Sequence, residues 1–434
     1  MKHFLTNLLR GTLRNLSRLT IWRYGPRVIG ITGSVGKTST KLAIAAVLAK
    51  ENRVRFSRGN LNSELGVALT ILGTWSEREL DLVSRNTANG TKRIRKTFFW
   101  IKVLLSSAWR VIFKTSSYPE ILILEYGADR PGDIKYLLKF ARPTIAVITA
   151  VGEIPVHVEF YAGPEEVARE KGRLIEALNS TGFAVLNHDD ATVTNLKDRT
   201  RARVSTYGFA PGADLRIVRF ENRVEQGRPA GISFKLENAG SLVPVRIDGV
   251  LGHVHAYAAG AAASVGLIFG MNLVKISEAL ESYAPASSRT ELVPGVKRTL
   301  VIDDAYNASP LSMHAALDAL RDLPAKRKVA VLGDMLEIGK YAIEAHEAMG
   351  RLAAASADVL VAVGPRAKFI AEAAREAGMK KSVVFSFDTA DEAKKPVEQL
   401  IKEGDLVLVK GSHAIQLDKV VEEIRDQHFA TSTV

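Results

Sequence analysis

The 434-residue sequence predicts an α/β protein made of two units, each built on a mainly parallel sheet. Two observations carry this reading. Short apolar runs such as Val28–Thr32, Ile145–Thr149 and Leu406–Val409 alternate with stretches of helical periodicity through both halves, and strand–helix alternation builds parallel sheets with strands buried on both faces. The alternation breaks once, at Pro285-Ala286-Ser287-Ser288, and then restarts. That break divides a central domain, residues 28–286, from a C-terminal domain, residues 287–434, both preceded by a basic segment, residues 1–27.

Residues 3–24 read as one helix. Leu5, Leu8, Leu9, Leu13, Leu16 and Leu19 recur at helical spacing with Arg10, Arg14, Arg18 and Arg23 between them, and Gly25-Pro26 ends the run. Two readings stand for this helix: it docks on the next domain, or it lies in the interface of an anionic membrane. A signal peptide is not expected, because arginines interrupt every apolar stretch. Nor is a transmembrane helix, for which about 18 uninterrupted apolar residues are needed. The nearest approach, Phe98–Phe113, is broken by Lys102 and Arg110.

After the strand Val28–Thr32 comes a glycine-rich turn and a helix through Lys50. Ile121–Leu124, Ile145–Thr149 and Ala184–Leu186 read as strands, and Pro164–Asn179 as a helix. Residues 200–250, short β-rich pieces among Gly and Pro, predict a small side sheet or subdomain. Beyond the break, Thr299–Ile302, Val329–Leu332, Val359–Val363, Val383–Phe385 and Leu406–Val409 are strands with helices between them. That is a second, doubly wound, Rossmann-like α/β domain.

Hydrophobic residues make up 47% and charged residues 24% of the chain, enough apolar material for sizeable cores. Cysteine is absent, which removes disulfides, thiolate zinc sites and cysteine nucleophiles and fits a cytoplasmic setting. The net charge of +12 is unevenly spread. No acid precedes Glu51. None lies between Asp81 and Glu120, a stretch that carries Arg85, Lys92, Arg93, Arg95, Lys96, Lys102, Arg110 and Lys114. Such fields attract anions: nucleotides, lipid headgroups or nucleic acid. Nucleic acid is disfavoured, since no recognition-helix or zinc-finger module is present and the cations are interleaved with large apolar residues. The stretch at about 76–118 reads as an insertion, either a lid or oligomer contact or a membrane-facing surface at the inner face.

The chemistry begins at Gly30-Ile-Thr-Gly33-Ser34-Val-Gly36-Lys37-Thr38-Ser39, which follows a strand and opens a helix. Glycines let backbone N–H groups converge on phosphate oxygens, the helix dipole favours an anion, Lys37 reaches terminal phosphates and the Thr38 hydroxyl ligates Mg²⁺. The general phosphate-loop spacing wants glycine where Ile31 stands, so the form here is G-x-T-G-x-x-G-K-T. A P-loop ATPase domain binding ATP and Mg²⁺ is the expectation.

This variant loop resembles that of the Mur ligases, which build the peptide of bacterial peptidoglycan. Further segments resemble the family in order: Gly59–Gly66, Leu124–Ala128, His157–Phe160 and Ala168–Gly172 in the central domain. Asp303–Met313, Leu332–Gly339 and Val409–Ser412 follow in the second domain and are most similar to members that add D-alanyl-D-alanine to a UDP-N-acetylmuramoyl tripeptide. The resemblance spans about residues 28–425. It implies an ADP-forming amide ligase: ATP converts a carboxylate to an acyl phosphate, which an amine then attacks. Both steps gather negative charge, so catalysis would be positioning and electrostatics, with no serine or cysteine nucleophile.

By that resemblance, Gly33, Ser34, Gly36, Lys37, Thr38, Ser39 and Asn62 would hold ATP. Glu125 with Thr38 would bind one Mg²⁺, and His157 a second. Lys171 would be carbamylated by CO₂ into a carboxylate-like metal ligand; its plain reading is an exposed lysine pairing along its helix. Arg289 would approach the phosphates across the hinge, with Asp304 and Tyr306 near the nucleotide. Asn307 and Ser309 would shape the closed site, Lys410 and Ser412 would meet the peptide carboxylate, and Asp334 and Glu337 would orient the incoming ammonium or order their loop. The implied substrates are a muramoyl-peptide-like acceptor and a D-alanyl-D-alanine-like amine. Two departures stand. The family places a uridine-binding domain before the loop, where this sequence has 29 residues; the acceptor is then held by other loops or a partner, or lacks UDP. At Leu251–Ala258 the family tends to have asparagines near adenine, and here His255 and Ala258 replace them; His255 either contacts adenine or is structural.

Overall fold

A computed structural model describes residues 2–57, 59, 61–83 and 90–426. Asn60 and Arg85 lie outside the described residues, as do the side chains of Leu5, Lys92 and Arg93. The chain opens with α1 (Lys2–Tyr24), β1 (Arg27–Thr32), α2 (Lys37–Leu48), β2 (Val54–Phe56), α3 (Glu64–Leu72), α4 (Glu77–Asp81) and α5 (Gly90–Ile112). It continues through β3 (Ile121–Glu125), β4 (Ile145–Ile148), β5 (Phe183–Asn187), β6 (Arg203–Gly208), β7 (Leu215–Glu225), β8 (Arg228–Asn238) and β9 (Ser241–Asp248).

These strands form one nine-stranded sheet in the order β2-β3-β1-β4-β5-β6-β7-β8-β9. Pairing is parallel from β2 to β7 and antiparallel beyond. The β-rich stretch expected as a side sheet is therefore the far end of the main sheet. It joins through the register pairs Tyr207↔Leu215 and Gly208↔Arg216. The reason is one-sided burial: Leu215, Ile217, Ile232, Phe234, Leu236, Val245 and Ile247 face a core shared with α2 and the helix His253–Ile268, so apolar and polar residues alternate, as in antiparallel sheets wet on one face. The central strands, by contrast, are buried at nearly every position.

The other face of the sheet is covered by α1, α3 and α5. Leu13 is fully buried there, with Leu9 and Leu16 packed beside it, and Arg10 pairs with Glu64 at the start of α3. The second sheet contains β10 (Glu291–Pro294), β11 (Leu300–Asp304), β12 (Lys328–Gly333), β13 (Val359–Val363), β14 (Val384–Phe387) and β15 (Leu406–Lys410), in the order β10-β11-β15-β12-β13-β14. All its pairs are parallel except β10 with β11. The two lobes touch: Val158, Tyr161 and Val167 of the first are buried in one cluster with Met335 and Ile338 of the second.

Candidate functional site

The C-terminal ends of β1, β3 and β4 converge, as expected for ligand binding in a doubly wound sheet. Gly33 has φ 150°, and a Cβ on it would lie 2.0 Å from Thr149 Oγ1, so the loop requires glycine there. Ser34 N donates to Ala150 O at 2.6 Å and Thr149 Oγ1 donates to Val35 O at 2.7 Å, which moors the turn to the end of β4. Gly36 caps α2 in the left-handed region. The first turn of α2 thus points its free N–H groups at the mouth of the loop.

Lys37 Nζ donates to Gly33 O at 2.7 Å, and Lys171 Nζ donates to the same oxygen at 3.2 Å. Two amines share one acceptor. Lys171, on the helix Pro164–Glu176, is buried rather than exposed, which excludes its plain reading as a surface lysine in helical pairs. Burial, reinforced by the charge of Lys37, pulls its pKa down to about 7. Burial also lowers Lys37, although Glu125 works against that shift.

Glu125, at the end of β3, is 1% exposed. The Thr38 hydroxyl donates to its Oε2 at 3.4 Å, and its Oε1 lies 2.7 Å from Lys41 Nζ. Lys41 is wholly buried and also donates to Ser57 Oγ at 3.2 Å and Gly59 O at 2.6 Å. A buried carboxylate beside a hydroxyl suits Mg²⁺, which takes one or two protein oxygens and fills its octahedron with phosphates and waters.

His157 stands at φ 70° before a short 3₁₀ turn, Val158–Phe160. Its Nδ1 is 2.6 Å from Glu337 Oε2, and its Nε2 is 3.4 Å from Asp129 Oδ1. Asp129 also acts electrostatically on Lys37 and Lys171, so one acid faces the imidazole and both lysines. Sequence reasoning missed Asp129 and Lys41. Both had a signal: Asp129 follows Glu125 in the same strand-end loop, and Lys41 is one helical turn beyond Lys37.

Arg289 enters from the hinge. Ser288 and Thr290 on either side have φ of 58° and 55°, a strained conformation for a β-branched residue. The Arg289 guanidinium lies 4.3 Å over the Tyr306 ring, whose other neighbour is His413, stacked at 5.5 Å. Its charge is felt by Lys37 and Lys41. His255 holds this hinge in place. It is fully buried, with Nδ1 2.9 Å from Tyr283 Oη and Nε2 3.1 Å from Arg289 O, and Ser39 of α2 bonds to Tyr283 in turn. Both ring nitrogens are occupied, which leaves none for adenine, so the nucleotide contact expected of His255 gives way to a structural one.

Other expected residues serve the second lobe's own framework. Lys410 is buried, 2.6 Å from Asp304 Oδ2, and donates to Asn307 O at 2.9 Å, so its ammonium is paired within its own lobe. Asp334 accepts from the N–H groups of Arg366 and Ala367 at 3.0 and 2.7 Å, the loop-ordering half of its expected role. Ser412 Oγ accepts from Leu336 N, and Ser309 caps the helix Pro310–Asp322 through Ser312 N. Asn62 O accepts from Gly127 N at 3.0 Å, beside the end of β3.

Comparison with known proteins gives this geometry a context. The model of the Mur ligase middle domain matches residues 110–265, and that of the Mur ligase glutamate ligase domain matches residues 288–413. The UDP-N-acetylmuramoyl-tripeptide–D-alanyl-D-alanine ligase of Mycobacterium tuberculosis H37Rv is 32% identical over 422 residues, 92% of this chain and 73% of its own length. The same-named enzyme of Bacillus subtilis is 28% identical over 95% of this chain and 79% of its own. The structure of MurF ligase from Thermotoga maritima in complex with ADP superposes with a TM-score of 0.75 at 26% identity, covering 95% of this chain and 83% of that one.

Proposed function

The chain belongs to the Mur ligase family, and from that premise we propose that it is an ATP-dependent, ADP-forming ligase that adds D-alanyl-D-alanine to a UDP-N-acetylmuramoyl tripeptide in the cytoplasm. The observation that carries the proposal is the meeting of Lys37 and Lys171 on Gly33 O beside the Thr38–Glu125 pair, with Arg289 reaching the same centre from the second lobe. A site that phosphorylates a carboxylate and then stabilises a tetrahedral intermediate must hold developing negative charge with fixed cations and N–H donors.

In this reading the loop N–H groups and Lys37 bind the terminal phosphates of ATP, and Ser34, Ser39 and Asn62 shape the nucleotide pocket. Thr38 and Glu125 are the residues that would hold Mg²⁺, which supplies charge neutralisation to the phosphates. Lys41 orients the Glu125 carboxylate. His157 is the proposed ligand for a second ion; to serve, it exchanges its present partners Glu337 and Asp129. Arg289 steadies the transferring phosphoryl group. Closure of the lobes, with Asn307, Ser309 and the Asp334–Glu337 loop on the covering side, keeps water from the acyl phosphate. Lys171 is proposed to react with CO₂: its neutral Nζ forms an N–C bond to the carbon and releases one proton, leaving an anionic carbamate. Burial supplies the neutral amine this step needs. Peripheral contact with an anionic membrane belongs to a different surface, the one formed by α1 and α5.

The test is a substrate panel. Purified protein with ATP, Mg²⁺, UDP-N-acetylmuramoyl tripeptide and D-alanyl-D-alanine should release ADP and yield the corresponding pentapeptide by mass. ADP release with another acceptor or amine, and none with this pair, would replace the substrate assignment. ADP release that needs no amine would remove the ligase reading.

A further inference from the structure

α5 has two apolar faces, and the fold uses one. Phe99, Val103 and Ser107 are buried at helical spacing, with Phe99 edge-on to Trp75 at 5.4 Å. This face completes the core under α1 and α3. A second stripe, Ile94, Phe98, Ile101, Leu105, Trp109 and Ile112, recurs at intervals of three and four, and each member is 45–67% exposed. Next to it α1 leaves Leu8, Leu19 and Trp22 in solvent, Trp22 at 78%. An exposed stripe of this length marks an interaction surface.

Charge selects the occupant. Arg95, Lys96 and Lys114 flank the stripe, and the sequence from Asp81 to Glu120 contains no acid between those two. Lys102 of α5 pairs with Glu79 of α4. Between α1 and the N-terminal ends of β4 and β5 lies a cleft of about 1510 Å³, lined by Arg14, Arg18, Lys135, Lys139 and Arg142 together with Trp22. The acid at its wall, Glu176, is paired with Arg199. A second copy of this chain would set these cations against one another, and like-charge contact costs affinity. An anionic bilayer accepts both features at once, apolar side chains at the acyl boundary and cations on the headgroups. The opposite face of α5 is packed on the core through Phe99 and Val103, which presents the exposed stripe side-on, the way an interfacial helix lies.

We propose that α1 and α5 form a peripheral docking surface for an anionic lipid bilayer, with the α5 stripe seated at the headgroup–acyl boundary and the basic cleft on lipid phosphates. The cleft lies at the N-terminal ends of the strands and the phosphate loop at their C-terminal ends, so a docked molecule keeps its nucleotide site open to solvent. The surface is independent of the ligase assignment.

The full chain is mixed with phosphatidylcholine vesicles that either lack or contain roughly 30% phosphatidylglycerol, a source of negative surface potential. Binding is read by co-sedimentation and by the tryptophan emission shift. Anionic vesicles should sediment the protein and blue-shift its emission, while neutral ones do neither. Leu105→Ser with Trp109→Ser should lower the partition coefficient by more than about tenfold, leaving the melting temperature and ADP release unchanged. Arg95→Gln with Lys96→Gln should lower it by about thirtyfold. Absence of sedimentation with anionic vesicles, or equal binding to neutral ones, overturns the proposal. So does a concentration-dependent dimer that the Leu105→Ser, Trp109→Ser variant dissolves, since the stripe would then belong to a second copy.

Discussion

The amine of Lys171 shares the carbonyl of Gly33 with Lys37 in a dry pocket, and the carbamate proposed for it can be tested there. Lys171→Ala should lower ADP release by about a hundredfold or more, the scale of losing a preorganised charge contact, with the melting temperature preserved and no rescue by bicarbonate. Carbon-13 NMR with labelled bicarbonate should show a carbamate signal in the wild type that the variant lacks; a fully active variant ends the carbamate reading. His255 gives a second residue-scale test. Burial, the largest cause, brings its pKa to about 4 against an ordinary 6.5. Between those values the unfolded chain binds a proton that the native ring does not, so stability rises with pH. This contribution is fully present above about pH 6.5 and is lost as pH falls towards 4, by up to about 3 kcal/mol. His255→Gln should flatten that part of the stability–pH curve in chemical denaturation; an unchanged slope would show that another group carries it.

At the scale of elements, β1, its loop and α2 form a unit whose local sequence was readable almost in full. Nine consecutive residues from Gly30 to Thr38 specify turn, helix start and phosphate cradle because every constraint is local. The Gly33 conformation is the exception, since its clash partner, Thr149, comes from another strand. Gly33→Ala should therefore displace the turn, abolish the rise in melting temperature on adding ATP and cut ADP release more than about tenfold; normal ATP stabilisation would show the loop to be more pliant than its mooring implies. The β-rich end was misjudged for a related reason. Alternation in β7, β8 and β9 signals one wet face, yet whether such strands extend an existing sheet or start another depends on a single short junction with β6.

At the scale of the molecule, two lobes share one buried cluster. Ile338 is fully buried in it with Val158 and Val167. Ile338→Ala should cost about 2–5 kcal/mol and, because the cluster joins both lobes, should separate a single calorimetric transition into two. One undivided transition in the variant would mean that the lobes are coupled elsewhere, through the hinge around Arg289.

The sequence by itself determined the α/β class and the family, because those rest on short-range periodicity, glycine spacing and contiguous motifs. Tertiary structure decided what the side chains do. Lys410, expected at a substrate, pairs with Asp304; His255, open in the sequence between an adenine contact and a structural role, fastens the hinge; Asp129, unremarked in the sequence, ties His157 to the two lysines. Each depends on partners distant along the chain and on how dry their meeting place is. Burial and charge pairing are properties of the assembled fold, and no local pattern of residues encodes them.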